Sequence, residues 1–203
     1  MSIVIVGAGG HGREVLDVLE ACGLPFSGFV DDGSPALDPL ARRQLVVLGG
    51  LDALDSLDVS VVLGLGDSAT RRRVGEAATT LRWAEAMVHP LASTGSDVRL
   101  GAGTVVCAGA RLTTHITIGR HGYVGPNVTI GHDTLVGDYV TVLPGATVSG
   151  GVVLAGGVSV GTGANIRQGI QVGEGAVVGA GAVVVHDVAA GSTVVGVPAR
   201  PVS

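Results

Sequence analysis

The sequence predicts a small α/β domain over residues 1–88, followed by a β-helix of hexapeptide repeats over residues 89–203. The opening stretch IVIVGAGGHGREVLDVLE has the pattern of a strand, a glycine-rich turn and a helix. From Leu100 to Val184 every sixth residue is aliphatic. The chain also contains 35 glycines and only 2% aromatic residues, which favours tightly wound β structure over a helical bundle.

The N-terminal part alternates short apolar runs with amphipathic segments, as βαβ units do. We expect a parallel sheet with ligands bound at the carboxyl ends of its strands. The predicted strands are Ile3–Val6, Phe26–Val30, Leu45–Leu48 and Val59–Leu65. The predicted helices run from Gly10 to about Ala21 and, with Asp67 as N-cap, to about Thr80.

The glycine-rich turn raises the hypothesis of an NAD-dependent oxidoreductase. Gly7, Gly9 and Gly12 match the fingerprint G-x-G-x-x-G, and Asp31 and Asp32 follow where an acid that binds ribose would lie. The α/β pattern ends near residue 90, however, which leaves no room for a second mononucleotide half. We therefore expect one half-domain with a phosphate group bound at the helix N-terminus, and not an NAD site.

The second half follows a strict six-residue period. The aliphatic positions are Leu100, Val106, Leu112, Ile118, Val124, Ile130, Val136, Val142, Val148, Leu154, Val160, Ile166, Val172, Val178 and Val184. A hexad accommodates one short strand and one turn, so three hexads would form each coil of a triangular prism with the aliphatic side chains inside. The fifteen hexads predict about five coils and leave the handedness of the β-helix open.

Charge and composition exclude several classes of function. A net charge of −5 without a basic patch argues against nucleic acid as a partner. No apolar run approaches the length of a membrane span, and the N-terminus enters a strand without a basic segment, so we expect neither membrane insertion nor a signal peptide. The spacing of the two cysteines, Cys22 and Cys107, is not typical of a metal site or a disulfide. We therefore expect a cytoplasmic protein.

The chain resembles the hexapeptide-repeat sugar acetyltransferases of the NeuD and PglD type. The resemblance extends in order over nearly the whole chain, through the opening stretch, FVDDG, LGLGDSATRR, VHPLAS, TIGHDTLVGDYVTVLPGATVSG, GAGAVVVHDV and GVPAR. It implies a left-handed β-helix, acetyl-CoA as the acetyl donor and no metal. It also implies a nucleotide-linked amino sugar as the acceptor, used in surface glycan synthesis, which we expect to be of UDP type and to bind to the N-terminal domain. It further implies a homotrimer with the active site between subunits.

Acetyl transfer from a thioester needs a base near the nucleophile and a donor for the oxyanion. His132 in the GHD motif is the candidate base, and the resemblance puts the family's catalytic histidine and its acidic neighbour on His132 and Asp133. It also assigns the amide that contacts the thioester to Gly150, which the coil period independently places one coil from His132. The same period puts His115 beside Asp133, as a relay of His115, Asp133 and His132 would require.

The resemblance also suggests two sets of binding residues. The substrate set, expected near the phosphates, sugar and nucleoside, is Gly9, Gly10, His11, Asp31, Asp32, Gly66 and Asp67. The acetyl-CoA set is Gly150 with Pro198 and Arg200 of the GVPAR motif.

Two departures from the family pattern leave the acceptor sugar, and the choice between N- and O-acetylation, open. Gly125 and Pro126 replace a frequent Asn-Thr pair, and Thr141 replaces a frequent second histidine.

A nucleotide-sugar-binding protein without catalysis is an alternative. A γ-type carbonic anhydrase is disfavoured because His115 and His121 are one hexad apart and so lie on different faces. We expect His121, together with His89 and His186, to be solvated.

Overall fold

The computed structural model describes residues 1–202. The N-terminal domain is a parallel three-stranded sheet with the order β2-β1-β3. Its strands are β1 (Ile3–Val6), β2 (Phe26–Val30) and β3 (Ser60–Leu63). Its helices are α1 (Gly10–Ala21), α2 (Leu37–Ala41), a 3-10 helix (Leu51–Ser56) and α3 (Ser68–Ala77).

The bounds of β1, α1 and β2 are those that the sequence predicts, whereas β3 is shorter and α3 ends at Ala77. Asp67 caps α3 as expected, because its Oδ1 accepts the Thr70 N–H at 2.7 Å. The strand expected at Leu45–Leu48 is reduced to a single parallel bridge between Val47 and Phe29. Three backbone hydrogen bonds join this segment to the outer edge of β2, the first of them from the Phe29 N–H to the Val46 carbonyl at 2.9 Å. Its apolar side chains are largely exposed.

The β-helix has three walls of short strands. The first wall contains Met87–Val88, Val105–Val106, Tyr123–Val124, Thr141–Val142, Ser159–Val160, Val177–Val178, Thr193–Val195 and Arg200–Pro201. The second wall contains Ser93–Thr94, Arg111–Leu112, Thr129–Ile130, Thr147–Val148, Asn165–Ile166 and Val183–Val184. The third wall contains Val98–Leu100, Ile116–Ile118, Leu135–Val136, Val153–Leu154 and Gln171–Val172.

The coil period is confirmed. Strands eighteen residues apart pair in parallel register, for example Thr129 with Thr147, and every aliphatic hexad position except the partly buried Leu100 is buried in one continuous core. The expectation of five coils is wrong, because the β-helix has about six turns. It begins at Met87, two residues before the predicted domain boundary at residue 89. The count of hexads started only at Leu100 and missed the first coil, in which the strand Ser93–Thr94 is polar.

The corners of the coils are left-handed turns that recur every eighteen residues. One column of corners has φ between 53° and 75° and consists of Asp97, His115, Asp133, Gly151 and Gly169. A second column has φ between 54° and 70° and consists of Gly103, His121, Tyr139, Gly157 and Gly175. Glycine takes this conformation without strain, whereas other L-residues pay about 1–2 kcal/mol. In both columns the residues with side chains occupy early coils, and glycine occupies the later ones.

Arg71 of α3 fastens the N-terminal domain to the β-helix. Its guanidinium is buried and donates to the carbonyl oxygens of Leu65 (2.8 Å), His121 (3.0 Å) and Tyr139 (2.9 Å) and to Thr141 Oγ1 (2.7 Å). Burial lowers the pKa of Arg71 to about 10, so the side chain stays cationic at neutral pH. These contacts set how the α/β domain sits on the first wall of the β-helix.

Candidate active site

His132 and Asp133 lie at an exposed corner between the second and third walls, and His115 lies at the same corner one coil earlier. The Asp133 carboxylate contacts both rings. Its Oδ1 is 2.6 Å from His115 Nδ1, and its Oδ2 is 2.7 Å from His132 Nδ1. The contact that the coil period predicts between His115 and Asp133 is therefore present.

The charge on Asp133 determines the tautomer of both rings. Hydrogen bonds from His115 and then His132 hold the pKa of Asp133 below its usual value, so the carboxylate is ionised at neutral pH. An ionised carboxylate can only accept hydrogen bonds, so each neutral ring must carry its proton on Nδ1. This leaves the lone pair on His132 Nε2, which is the atom that a general base uses.

Gly150 lies directly beside that nitrogen. A Cβ atom added at Gly150 would be 2.6 Å from His132 Nε2, closer than side chains ordinarily approach. Among the residues that the structure describes, the Gly150 amide donates to no acceptor. The arrangement brings an imidazole lone pair close to an N–H that is free among the described residues, and acyl transfer uses groups of these two kinds.

In the glycine-rich turn, packing accounts for Gly7 and Gly12. Gly7 has a φ of 99°, and a Cβ at Gly12 would collide with the Gly7 carbonyl, so these residues allow α1 to pack closely on β1. A Cβ at Gly9 would meet nothing within 4 Å, and Gly9 and Gly10 are exposed. Gly9 is the N-cap of α1 and has no side-chain cap, so the first amides of the helix face solvent.

The two acidic residues after β2 have different surroundings. Asp31 holds the glycine-rich turn, because its Oδ2 accepts the Ala8 N–H at 2.7 Å and its Oδ1 accepts the Gly33 N–H at 2.8 Å. Asp32 Oδ1 accepts the Leu51 N–H at 2.8 Å, and Asp32 also lines an open cavity.

That cavity has a volume of about 460 Å³ and lies between the 3-10 helix and α3. Leu54, Val74 and Leu81 supply apolar walls, while Asp32 and Arg73 supply opposite charges. A mostly apolar cavity with a few polar groups, located after the carboxyl end of a parallel strand, is typical of a nucleotide-binding site in this type of fold.

His11 is in the first turn of α1, and its ring packs against Tyr123 of the β-helix. Its ring centroid is 4.3 Å from that of Tyr123, and its Nδ1 is 3.6 Å from Glu14 Oε2. Burial, with a smaller contribution from the nearby Arg71, lowers the pKa of His11 to about 4, so the ring is neutral at pH 7. Gly66 lies against this ring, since a Cβ there would be 3.5 Å from His11 Cγ.

Comparison with known proteins agrees with this geometry. Residues 2–78 match the family described as the PglD N-terminal domain. A variant of perosamine N-acetyltransferase from Caulobacter crescentus, solved with CoA and GDP-perosamine, is 30% identical with a TM-score of 0.93, and the match covers 100% of this chain and 97% of that chain. The chain belongs to the PglD-type family of sugar acetyltransferases.

Two further solved structures support this membership. The acetyltransferase domain of PglB from Neisseria gonorrhoeae, solved with acetyl coenzyme A, is 32% identical with a TM-score of 0.89. The match covers 99% of this chain and 98% of that chain. WeeI from Acinetobacter baumannii is 30% identical with a TM-score of 0.87, and the match covers 100% of both chains. No curated protein matches the sequence. The left-handed β-helix of the PglD-type family is thus the fold of this chain.

In this PglD-type chain a second cavity, of about 330 Å³, lies at the C-terminal end of the β-helix. It is lined by His186, Ser192 and Arg200 among others, and Arg200 also donates to the Ala199 carbonyl at 2.9 Å. Pro198, which follows a cis peptide bond, is exposed near this cavity. The structure thus brings Arg200 into a cavity and leaves Pro198 outside its lining.

The expectation that His121 is solvated is wrong. The residue is 1% exposed, and its ring centroid lies 4.4 Å from that of Trp83 and 5.1 Å from that of Tyr139. Neither ring nitrogen has a hydrogen-bond partner within the part of the chain that the structure describes. The hexad period correctly places His121 at a corner, but it gives no sign that the N-terminal domain covers this corner. Arg71 was missed for the same reason.

Within residues 1–202, no three His, Cys, Asp or Glu side chains come together in a group that could hold a metal ion. The helices of that part of the chain are also too short or too polar to cross a membrane.

Proposed function

We propose that this protein transfers the acetyl group of acetyl-CoA to the amino group of a nucleotide-linked sugar. His132 Nε2 accepts the proton of the amine as its nitrogen attacks the thioester carbonyl, and the Gly150 N–H donates to the oxyanion that develops there. The imidazolium of His132 is held by the Asp133 carboxylate and returns the proton to the departing thiolate of CoA. The observation that carries this proposal is the pairing of His132 Nδ1 with Asp133 at 2.7 Å, with Gly150 beside Nε2.

The proposed nucleotide site is the cavity beside Asp32. In this site the Asp32 carboxylate accepts from a ribose hydroxyl or a base N–H, and Leu54 and Leu81 pack against the base. The exposed amides of Gly9 and Gly10 hold the phosphates. Asp31 acts indirectly, because its carboxylate is engaged by the Ala8 and Gly33 amides and so shapes the turn that carries Gly9.

We propose that His11, Gly66 and Asp67, which lie outside the lining of that cavity, are near the phosphates or the sugar. The ring of His11 is neutral and packs against Tyr123, and Gly66 is in ordinary contact with the ring. The Asp67 carboxylate is engaged as the cap of α3, so its contribution is to position Gly66 and the start of the helix. For acetyl-CoA, we propose that Gly150 contacts the thioester and that Arg200, next to Pro198, binds the distal end.

The replacement His132→Asn tests the proposed base. It keeps a side-chain N–H that can donate to Asp133 but removes the basic Nε2, so the release of free CoA should fall roughly 100-fold or more while the melting temperature stays unchanged. The control is His89→Asn in the first coil, because among the described residues the His89 side chain has a single hydrogen-bond partner, the Leu91 N–H. A well-folded His132→Asn protein with a near-normal kcat would contradict the assignment.

The replacement Asp32→Asn tests the nucleotide site. It keeps an oxygen for the Leu51 N–H but removes the charge, so KM for the nucleotide sugar should rise several-fold while KM for acetyl-CoA does not change. Calorimetric titrations with UDP-, GDP- and dTDP-linked amino sugars and with NAD complete the test. Tight NAD binding without a response to any nucleotide sugar would favour an oxidoreductase instead.

We also propose a homotrimer whose subunits meet along the flanks of the β-helix. Apolar side chains stand exposed on the outer faces of the walls, among them Leu135, Val153 and Val177. A threefold arrangement would cover them and bring a second subunit to the His132 corner. Sedimentation equilibrium should give three times the mass of the chain, and a stable, active monomer would contradict this.

A cytoplasmic location follows from the proposed reaction, because the cytoplasm supplies both acetyl-CoA and nucleotide sugars. Cys22 and Cys107 are free thiols, which suits a reducing compartment. Cell fractionation would test this location.

A further inference from the structure

His115 occupies a corner with a left-handed backbone. Its φ is 53°, in the column of corners whose later members are Gly151 and Gly169. This conformation is uncommon outside glycine, and Asn, Asp and His are the residues most often found in it. Packing does not explain the imidazole at this corner, because the His115 side chain is 67% exposed.

The ring of His115 has one hydrogen-bond partner among the described residues, the Asp133 carboxylate. The contact joins His115 Nδ1 to Asp133 Oδ1 at 2.6 Å, while the other oxygen faces His132 Nδ1 at 2.7 Å. A carboxylate on an exposed corner can rotate about two side-chain bonds. A donor on Oδ1 removes that freedom and keeps Oδ2 directed at the base.

We propose that His115 is a positioning residue, which holds the Asp133 carboxylate so that His132 keeps its Nδ1–H tautomer with Nε2 directed over Gly150. This inference rests on the proposed function, in which His132 is the base. Without His115, Asp133 and the His132 ring sample other rotamers, and fewer encounters have Nε2 in place. Sugar and acetyl-CoA affinities should not depend on His115, because it acts through Asp133.

Two replacements that both tolerate the left-handed backbone separate positioning from other roles. His115→Asn places an amide N–H near the position of Nδ1, so kcat should remain within about twofold of the wild type. His115→Gly removes the donor without backbone strain, so kcat should fall roughly tenfold with both KM values unchanged. Equal losses of kcat in the two variants would mean that His115 acts through Nε2, which asparagine does not replace. An unchanged kcat in both variants would mean that His115 does not position Asp133. Both results overturn the proposal.

A double-mutant cycle with Asp133→Asn isolates the path of the effect. If His115 acts through Asp133, His115→Gly should cause no further loss of kcat in the Asp133→Asn background. A loss as large as in the wild-type background would overturn the proposal.

A readout without turnover separates this inference from the proposed function. Nitrogen-15 NMR of histidine-labelled protein should show His132 as the Nδ1–H tautomer in the wild type and in His115→Asn, and as a mixture of tautomers in His115→Gly. If the wild type transfers no acetyl group to any sugar but the tautomer responds in this way, the function fails and the positioning stands. If the tautomer of His132 does not change in His115→Gly, the positioning is refuted whatever the activity.

Discussion

Single residues define the site through the spacing of the coils. Asp133 lies between two histidines, and Gly150 lies below the His132 ring because a β-helix brings residues eighteen apart into contact. In such a fold, proximity in space can be calculated from separation in sequence. For this reason the arrangement of His115, Asp133, His132 and Gly150 could be predicted without a structure.

Gly150→Ala tests how closely the backbone must approach the base. The backbone of Gly150 is outside the left-handed region, so alanine adds no strain there, but its Cβ would lie 2.6 Å from His132 Nε2. The ring must turn away, so kcat should fall tenfold or more, on the order expected for a misplaced catalytic group. The melting temperature should change little.

Gly156→Ala is the matched control for that replacement. Gly156 is the next corner glycine without a left-handed φ, and a Cβ there would meet only the Asp138 carbonyl oxygen at 3.5 Å, an ordinary contact. Steady-state kinetics should therefore show normal turnover for Gly156→Ala. Normal turnover for Gly150→Ala as well would mean that His132 does not need to lie over this residue.

Local hydrogen bonds and packing between the domains are features of the site that sequence reasoning could not predict. The motif pattern puts Asp31, Asp32 and Asp67 in one binding set, but backbone amides engage the carboxylates of Asp31 and Asp67, and of the three only Asp32 lines the cavity. Arg71 and His121 meet across the domain junction, and no period in either domain records that contact.

At the scale of the elements, the repeat determines which side chain of each two-residue strand points inward. In the strand Leu135–Val136, Val136 is 4% exposed and stacks between Ile118 and Leu154, whereas Leu135 is 53% exposed. The period of six therefore predicts the inner face of every coil from Val106 onward. It could not predict the start of the β-helix, because the strand Ser93–Thr94 has no aliphatic residue, yet pairs with Arg111–Leu112.

Two aspartate replacements in that strand test the register. Val136→Asp buries a carboxylate among aliphatic side chains and should lower the free energy of unfolding by more than about 3 kcal/mol, or abolish folding. Leu135→Asp, one residue away on the outer face, should cost no more than about 1 kcal/mol. Urea denaturation measures both. Equal losses would mean that the inner and outer faces have been assigned wrongly.

At the scale of the whole molecule, the two domains meet over a polar junction that is buried. Arg71 satisfies carbonyl oxygens from both domains, and the ring of His121 packs between Trp83 and Tyr139 without a hydrogen bond. Burial, and then the positive charges of Arg120 and Arg71 against the smaller opposing effect of Asp138, lower the pKa of His121 to about 4. The junction therefore holds His121 in its neutral form.

This pKa shift makes the stability of the protein depend on pH in a defined window. His121 titrates at its ordinary pKa of 6.5 in the unfolded chain and at about 4 in the folded protein, so below pH 6.5 the unfolded state binds the extra proton. Stability from this group is thus complete above pH 6.5 and is lost as the pH falls towards 4, by about 3 kcal/mol over the window. His11, whose pKa is also lowered to about 4, adds a loss of the same sign.

His121→Phe isolates the contribution of the junction. Phenylalanine keeps a flat ring between Trp83 and Tyr139 and removes two unpartnered nitrogens, so stability at pH 7 should be unchanged or higher. Between pH 6.5 and 4.5 the variant should lose clearly less stability than the wild type, with His11 accounting for part of what remains. His186→Phe, at an exposed site, controls for the loss of one histidine. Urea denaturation gives the free energy of unfolding of both proteins between pH 7 and 4.5. If the two curves against pH were parallel, protonation of His121 would not contribute to the loss of stability in acid.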